Sequence, residues 1–430
     1  MAFTVFHSIL EEALLILIIG LSQLFAVGGL SNTAYSIVQI GQSLGATSNG
    51  QMSWFMASYS LCAGVFVLVS GRMGDHLGHK YVFLFGWAWM AIWSLISGFA
   101  HNIILFDVAR AMTGVGCGAL VPNSFALLTR SFPPFSTKKS IAFAFLGFCA
   151  PSGYIFGGFI GAIFAEKVTW RWGYWFWAIG CLALFALSYF TIPHSDFDYL
   201  GSFLASVIGW QEGYTYAFLI VGVVLISYDK ASVLPNSLWK RKGFTPVVIA
   251  MSFGWMSFGI FLYYTTVFIL FVHKASPLTA VAQMVPLVIG VGIFITKVPA
   301  QYIFGVSMFS FFIGNLLMSF ADYSNIYWAF IFPACLLVVG GPDLSFASSI
   351  LPEEQGVAGS FISTVVQYSI SIGLGFAATV ETHVNNAQGT KLILAYKAAH
   401  WLGIGLAAIA FLIVIFFVRD HRFDDKHDDQ

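Results

Sequence analysis

Long apolar segments separated by short polar ones dominate the chain. About 20 apolar residues are needed for a helix to cross the hydrocarbon of a bilayer. Segments of about this length or more predict helices at 12–30, 52–70, 81–100, 103–128, 139–165 and 172–192, and again at 244–272, 277–296, 299–320, 326–350, 357–380 and 401–418. The sequence therefore predicts two groups of six membrane-spanning helices.

Two weaker apolar segments, 199–210 and 214–228, lie between the two groups. A twelve-residue helix is only about 18 Å long, against a hydrocarbon core of about 30 Å. The segment 199–210 therefore cannot span unaided. It is either a helix that has lost residues, as in a shortened gene product, or a re-entrant segment sheltered by its neighbours.

The composition places this pattern in lipid. The 430 residues are 58% hydrophobic and 9% charged, with a mean hydropathy of +0.83. A soluble protein of this size cannot bury so much apolar side chain, so we expect an all-α polytopic membrane protein. The 19 basic and 19 acidic residues cancel, which gives no basis for a nucleic-acid partner. The five cysteines lie in apolar segments, and no metal site or cofactor is predicted.

The distribution of basic residues predicts the orientation. In a fourteen-crossing arrangement with both ends on the cytoplasmic side, 13 Lys and Arg residues fall inside and five outside, and Arg110 lies within a span, which is the expected asymmetry. The loop 229–242 is the most basic in the chain and should lie on the cytoplasmic side. The region 199–228, which contains the two weaker segments, must therefore cross the membrane twice or not at all, which gives fourteen or twelve spans. We divide the chain into a first bundle at 1–192, a linker at 193–243, a second bundle at 244–418 and a charged tail at 419–430.

The polar segment between the second and third spans has the sequence GRMGDHLGHK. Its glycines predict a tight turn at the membrane surface, and its carboxylate is placed to accept hydrogen bonds from a nearby cation. The segment resembles the signature loop of the major facilitator transporters, with histidines at 76 and 79 where arginine is more usual. The resemblance implies that this loop gates the change between inward-open and outward-open states. The matching residues are Gly71, Gly74, Asp75, Gly78 and Lys80.

The fourth predicted span carries charge inside the membrane. Asp107, Arg110, Gly114 and Gly118 share one helix face, and an intramembrane arginine is by default a functional candidate. The alternative is an arginine that snorkels to the surface and is neutralised by Asp107. Arg110, Gly114 and Gly116 also resemble a second signature of the family, which implies proton coupling by Arg110.

The fifth span contains a stripe of glycines. Gly153, Gly157 and Gly161 recur every four residues behind Pro151, which predicts a flat groove for close helix contact and a helix that the proline can bend. Together with Gly158, they resemble the antiporter signature of the family, although the spacing between Pro151 and the paired glycines is unusual. Helix packing alone would also explain the glycines.

Polar groups in other spans are candidates for transport. Asp343 follows a Gly-Gly-Pro break, where it would either bind a proton or cap the broken helix. Other polar and amphipathic side chains are predicted to line a substrate cavity, though hydrogen bonding between helices is their alternative role. They are Gln23, Asn123, Trp255, Gln283, Asn315, Gln367 and Tyr368, of which Gln23, Asn123, Trp255, Gln367 and Tyr368 are our substrate-binding candidates.

The segments 298–303, 351–361 and 368–386 resemble the fungal aminotriazole-resistance and borate-efflux branch of the fourteen-span drug:proton antiporters. The resemblance implies two six-helix bundles with two extra, here shortened, central helices. It also implies a monomer that exports a small solute in exchange for protons across the plasma membrane, with the vacuolar membrane as the alternative. Proton-coupled nutrient uptake and a non-transporting sensor or scaffold remain open. No HExxH, nucleophile elbow or paired His and Cys ligands suggest an enzyme.

Overall fold

The computed structural model describes residues 9–133, 136–192, 244–288, 300–322, 326–349, 355–388 and 392–418. The expectations about 199–210, 214–228 and the basic loop at 229–242 lie outside the described residues. Within them the regular structure is helical, so the predicted fold class, an all-α polytopic membrane protein, is confirmed.

The first bundle consists of six helices. They are α1 (Ile9–Leu44), α2 (Asn49–Leu77), α3 (His79–Phe99), α4 (Ile103–Ser131), α5 (Thr137–Lys167) and α6 (Trp170–Thr191). Polar side chains fix the start of several of these helices. Asn102, for example, accepts a hydrogen bond from the Leu105 amide, which would otherwise have no partner in the first turn of α4.

The second bundle is less regular. Its helices are α7 (Phe244–Val267), continued by a π-helical turn at Phe268–Val272, α8 (Pro277–Met284), continued by a 3₁₀ turn at Val285–Val288, α9 (Ala300–Ser319), α10 (Ile331–Val338), α11 (Gly340–Ser349), α12 (Gln355–Gln388) and α13 (Leu392–Phe417). The pair α10 and α11 is one span broken at Val339, beside the predicted Gly-Gly-Pro break.

Ten helices of the described segments are long and apolar enough to cross a membrane. Two shorter apolar helices, Pro277–Val288 and Ile331–Pro342, lie within the predicted spans 277–296 and 326–350. The first helix differs from its predicted bounds of 12–30, because it continues to Leu44. Ser31 and Thr33, just beyond the predicted end, are buried and hydrogen-bonded to Gly28 O and the Tyr174 hydroxyl, so these polar groups do not end the helix.

One hydrophobic core continues from the first bundle into the second, a smaller core lies within the first bundle, and the two bundles meet along two seams. In the first bundle α1 packs on α5, and α4 on α2 and α3; in the second, α7 packs on α12 and α13. The seams between bundles are α2 with α12 and α5 with α8. Hydrogen bonds that cross them include those from the Leu278 amide to Glu166 Oε1 (3.0 Å) and from Ser371 Oγ to Ala57 O (3.3 Å). The first lies at the ends of α5 and α8 that the basic residues predict to face outwards.

Candidate transport site

Arg110 of α4 lies in the interior of the first bundle. Its side chain is only 1% exposed. The guanidinium donates to Gly29 O of α1 (2.9 Å) and to Phe55 O of α2 (3.3 Å), and it lies over the Tyr59 ring at 4.5 Å. Carbonyl dipoles and an aromatic face stabilise a buried cation without neutralising it. Arg110 therefore links three helices of the bundle.

Asp107 is not the ionic partner of Arg110. The two side chains form no ion pair, and Asp107 Oδ1 is buried without accepting a hydrogen bond from any described residue. A snorkelling Arg110 would place its charge in water, whereas this guanidinium is buried. The alternative of a surface-directed arginine neutralised by Asp107 is therefore wrong. The shared helix face of the two residues is present, with Gly114 packed against Tyr59 O.

The signature segment between α2 and α3 is mostly helical rather than a loop. Gly71 and Gly74 lie inside α2, which ends at Leu77, so the prediction that they supply backbone freedom to a turn is wrong. Gly78 alone makes the turn. Its φ of 92° lies in the region that disfavours other residues, so only this glycine has the predicted conformational role.

Asp75 joins α2 to the ends of α3 and α4 that the basic residues predict to face the cytoplasm. Its Oδ1 lies 3.5 Å from the Arg130 guanidinium and 3.4 Å from His79 Nε2. The expected interaction of Asp75 with a cation at a helix end is therefore present. Lys80 lies elsewhere: its Nζ donates to Tyr189 O (2.9 Å) and to Ile192 O of α6.

His79 and Asn123 form the buried part of the same cluster. His79 Nδ1 lies 2.7 Å from Asn123 Oδ1, and the amide of Asn123 donates to Ser70 O and Ala119 O. A Cβ on Gly74 would lie 2.1 Å from Asn123 Oδ1, so that glycine makes room for the pair. Asn123 makes hydrogen bonds between helices, the alternative role, and lies beside Gly74 and His79.

The glycine stripe of α5 packs directly on α1. A Cβ on Gly153, Gly157 or Gly161 would lie 2.4, 2.1 or 2.5 Å from the backbone oxygens of Leu24, Gly28 and Asn32 respectively. The three glycines of α5 and their partners on α1 both recur every four residues, so the two backbones lie close together over two turns of helix. Helix packing therefore accounts for these three glycines.

Gly158 faces a different neighbour. Its missing side chain leaves room for the Tyr35 ring of α1, 2.7 Å from a built Cβ, and for Val281 of α8 in the second bundle, at 3.2 Å. Gly158 thus lies where the two bundles meet. Helix α5 continues without a break through Pro151.

The other predicted substrate residues make separate contacts. Gln23 of α1 donates weakly to Ser124 Oγ (3.4 Å), beside Asn123 on α4, and Trp255 packs edge-on against Phe258. Gln367 and Tyr368 lie close to Gly64 along the seam between α2 and α12. Substrate binding by these five residues stays a prediction. Asp343 lies in α11, directly after the break, but its side chain is outside the described residues.

The sequence did not single out two buried polar groups of the second bundle. Glu381 of α12 is 3% exposed and accepts a hydrogen bond from the Tyr264 hydroxyl (2.9 Å). His400 of α13 is bonded to Asn315, whose amide donates to Ser257 Oγ. An acid within an apolar helix was the available signal for Glu381, but its position inside the bundle depends on packing between distant helices.

The sequence was compared with known proteins. Residues 17–375 match the Major Facilitator Superfamily. The chain is 34% identical to a protein named Low affinity ammonium transporter from Saccharomyces cerevisiae, with 94% of this chain and 88% of that protein covered. It is 33% identical to Efflux pump terJ of Aspergillus terreus (96% and 89% covered) and 32% identical to the Aminotriazole resistance protein of Saccharomyces cerevisiae (94% and 83%).

These alignments extend over 454 to 463 residues, more than the 430 residues of this chain. The relatives therefore contain residues that this chain lacks, in agreement with the expectation that parts of it are short. The family match and the helices that are long and apolar enough to span lead to the same conclusion. The chain is an integral membrane transporter that belongs to the Major Facilitator Superfamily.

Proposed function

We propose that this transporter exports a small solute in exchange for protons, by alternating access between its two bundles. The burial of Arg110 carries this proposal. A guanidinium in a membrane interior is expensive, and it is retained where it stabilises charge that appears during transport. Here it is held by carbonyls and aromatic rings, with no carboxylate bound to it, so its field is available to a proton-carrying acid.

In this mechanism the residues of the first bundle have separate roles. Asp107, three positions before Arg110 on the same helix, is the acid that carries the proton next to this fixed positive charge. Asp75, held between Arg130 and His79, closes the cytoplasmic ends of α2, α3 and α4 and must be released when they separate. Asp343, directly after the break between α10 and α11, binds and releases a proton in the second bundle.

The seams support the rocking motion that alternating access requires. The bond from the Leu278 amide to Glu166 Oε1 closes the predicted outer side between α5 and α8. We therefore assign the described arrangement to a state that is closed outside. The chain works as a monomer in the plasma membrane, with lipid, solute and protons as its partners.

Uptake of a nutrient is the second candidate, because one relative at 34% identity bears the name of an ammonium transporter. The two functions differ in the direction of flux. A reconstitution experiment separates them: purified chain in vesicles, an imposed pH gradient, and boric acid, aminotriazole or methylammonium as solute.

Export in exchange for protons predicts that the solute leaves the more alkaline compartment and moves in the direction opposite to the protons. Arg110→Ala and Asp343→Asn should each abolish the dependence on the gradient. Movement in the same direction as protons would favour uptake. Absence of flux for every solute would contradict both functions and leave the sensor or scaffold.

A further inference from the structure

His79 is a buried histidine whose two ring nitrogens both face oxygen atoms. Its side chain, in the first turn of α3, is 5% exposed. The Nδ1 atom lies 2.7 Å from Asn123 Oδ1, and the Nε2 atom lies 3.4 Å from Asp75 Oδ1. An ionised carboxylate can only accept hydrogen bonds, so Asp75 requires an N–H on Nε2. Whether His79 carries a second proton depends on which atom Asn123 presents to it.

Hydrogen bonds to the backbone fix the orientation of the Asn123 amide. Its Nδ2 atom donates to Ala119 O (2.8 Å) and to Ser70 O (3.3 Å). A flipped amide would place its own oxygen against these two carbonyl oxygens, where no hydrogen is available. The Asn123 oxygen therefore faces the histidine, and it requires an N–H on Nδ1.

The imidazolium form of His79 satisfies both neighbours, and the neutral form does not. A neutral imidazole has one N–H, so its other nitrogen would turn a lone pair towards an oxygen. The imidazolium has two N–H groups and donates both of them. Because the ring is then charged, its bond to the Asp75 carboxylate is stronger than a bond between neutral groups. The described contacts are therefore those of a protonated His79.

The charged groups around this ring share one carboxylate. On α2, Arg72 acts on the Asp75 carboxylate from the same helix. On α4, the Arg130 guanidinium lies 3.5 Å from Asp75 Oδ1. Lys80, the next residue of α3, is directed to α6, where its Nζ donates to carbonyl oxygens. The side chain of His76 lies outside the described residues. The carboxylate is thus held by a permanent cation from α4 and by a cation on α3 that can lose its proton.

These contacts join three helix ends. Asp75 belongs to α2, His79 to α3 and Asn123 to α4, on the side that the basic residues predict to face the cytoplasm. A Cβ on Gly74 would lie 2.3 Å from His79 Nδ1, so the ring is in close contact with α2. Only Gly78 separates α2 from α3. Loss of the proton would therefore weaken a contact that all three helices share.

We propose that a proton bound to His79 locks the predicted cytoplasmic ends of α2, α3 and α4 together, and that a rise in pH on that side releases them. The charged ring makes both contacts, so both are present at low pH and one is lost as the pH rises. Histidine is the side chain that changes charge between about pH 5 and 8. The lock therefore responds to pH in the range found in cells.

This proposal goes beyond the proposed function, because it concerns control of the gate and not the transported proton. It rests on that function only for its consequence. An exporter that exchanges solute for protons brings protons into the cytoplasm in every cycle. A lock that tightens as the cytoplasm becomes acidic would slow the cycle and limit that entry.

Hydrogen exchange of the full-length chain in detergent, without solute, tests the lock. The Gly78 amide donates to Gly74 O (3.0 Å), and its exchange reports opening of the junction between α2 and α3. Its protection factor, corrected for the chemical exchange rate at each pH, should fall about tenfold between pH 5 and pH 8, the loss of one charge-assisted bond.

Two histidine variants separate His79 from the rest of the chain. His79→Gln has a polar side chain that does not titrate, so the protection factor of the Gly78 amide should stay constant with pH. His101→Gln removes an exposed histidine between α3 and α4 and should respond to pH as the unmodified chain does.

Asp75→Asn provides a test that does not depend on the folding of His79→Gln. The asparagine keeps an oxygen beside Nε2 but has no negative charge to attract the imidazolium. The midpoint of the pH response should therefore move by about one unit towards lower pH. Asp75 is half-exposed, so this substitution places no larger group in the bundle interior.

A protection factor that stays constant with pH in the unmodified chain would overturn the proposal. So would an equal fall in His79→Gln, or an unchanged midpoint in Asp75→Asn. The exchange experiment uses neither solute nor a gradient, so it is independent of the export function. Absence of flux in vesicles would remove export and leave the lock, whereas constant protection would remove the lock and leave export.

Discussion

Replacing Gly157 by alanine should force α1 and α5 apart. The added Cβ would lie 2.1 Å from Gly28 O and 2.5 Å from Gly28 C and Cα. All three atoms belong to the backbone, so no side chain can rotate to make room. Overpacking of this kind lowers the free energy of unfolding by about 1–3 kcal/mol, and a clash with rigid backbone should place the effect near the upper end.

The same helix supplies a matched control. A Cβ on Gly147 meets no atom within 4 Å. Gly147→Ala therefore reports only the better helix propensity of alanine, a gain of at most about 1 kcal/mol. The comparison of the two variants cancels this propensity effect, and the predicted difference in stability is the clash itself.

The assay is unfolding of the full-length protein in mixed micelles, titrated with SDS and followed by circular dichroism. We expect Gly157→Ala to unfold with a free energy about 1–3 kcal/mol lower than Gly147→Ala. Equal stabilities, within about 0.5 kcal/mol, would refute the close approach of the two helices and with it the packing account of the glycine stripe.

Three further substitutions test other contacts. Arg110→Lys keeps the charge but cannot reach both carbonyls, so the free energy of unfolding should fall by about 1.5–3 kcal/mol in the same titration; an unchanged value would contradict the two bonds. Gly74→Ala should displace Asn123 from His79 and lower stability by about 1–3 kcal/mol, whereas a neutral result would place the pair elsewhere. Glu166→Gln should speed hydrogen exchange in the first turn of α8 roughly tenfold, the effect of weakening one charge-assisted bond; unchanged exchange would show that the outer seam is held by other contacts.

Much of the fold could be predicted from the sequence, because a membrane span must satisfy its backbone internally and be apolar over its length. This requirement does not locate the ends of helices. The first helix continues past its predicted end at residue 30, where the Thr33 hydroxyl pairs with Tyr174, 141 residues away in sequence. Gly71 and Gly74 were assigned to a turn because the segment is locally polar, whereas the burial of Gly74 against His79 and Asn123 is not visible in the sequence.

The candidate site was predictable to a lesser extent. Arg110 stood out because charge in an apolar span is rare. The carbonyls that bind it come from residues 55 and 81 positions away, so no pattern along the chain indicates them.

Coupled movement of solute and protons is the central claim, and simultaneous recording of both in one vesicle preparation tests it most directly. Vesicles containing the purified chain, a pH-sensitive dye and aminotriazole or boric acid would be exposed to an imposed pH gradient. The account predicts solute leaving as protons enter, with both movements lost together in Arg110→Ala. Solute movement at the same rate without a gradient, or without any change in internal pH, would contradict it.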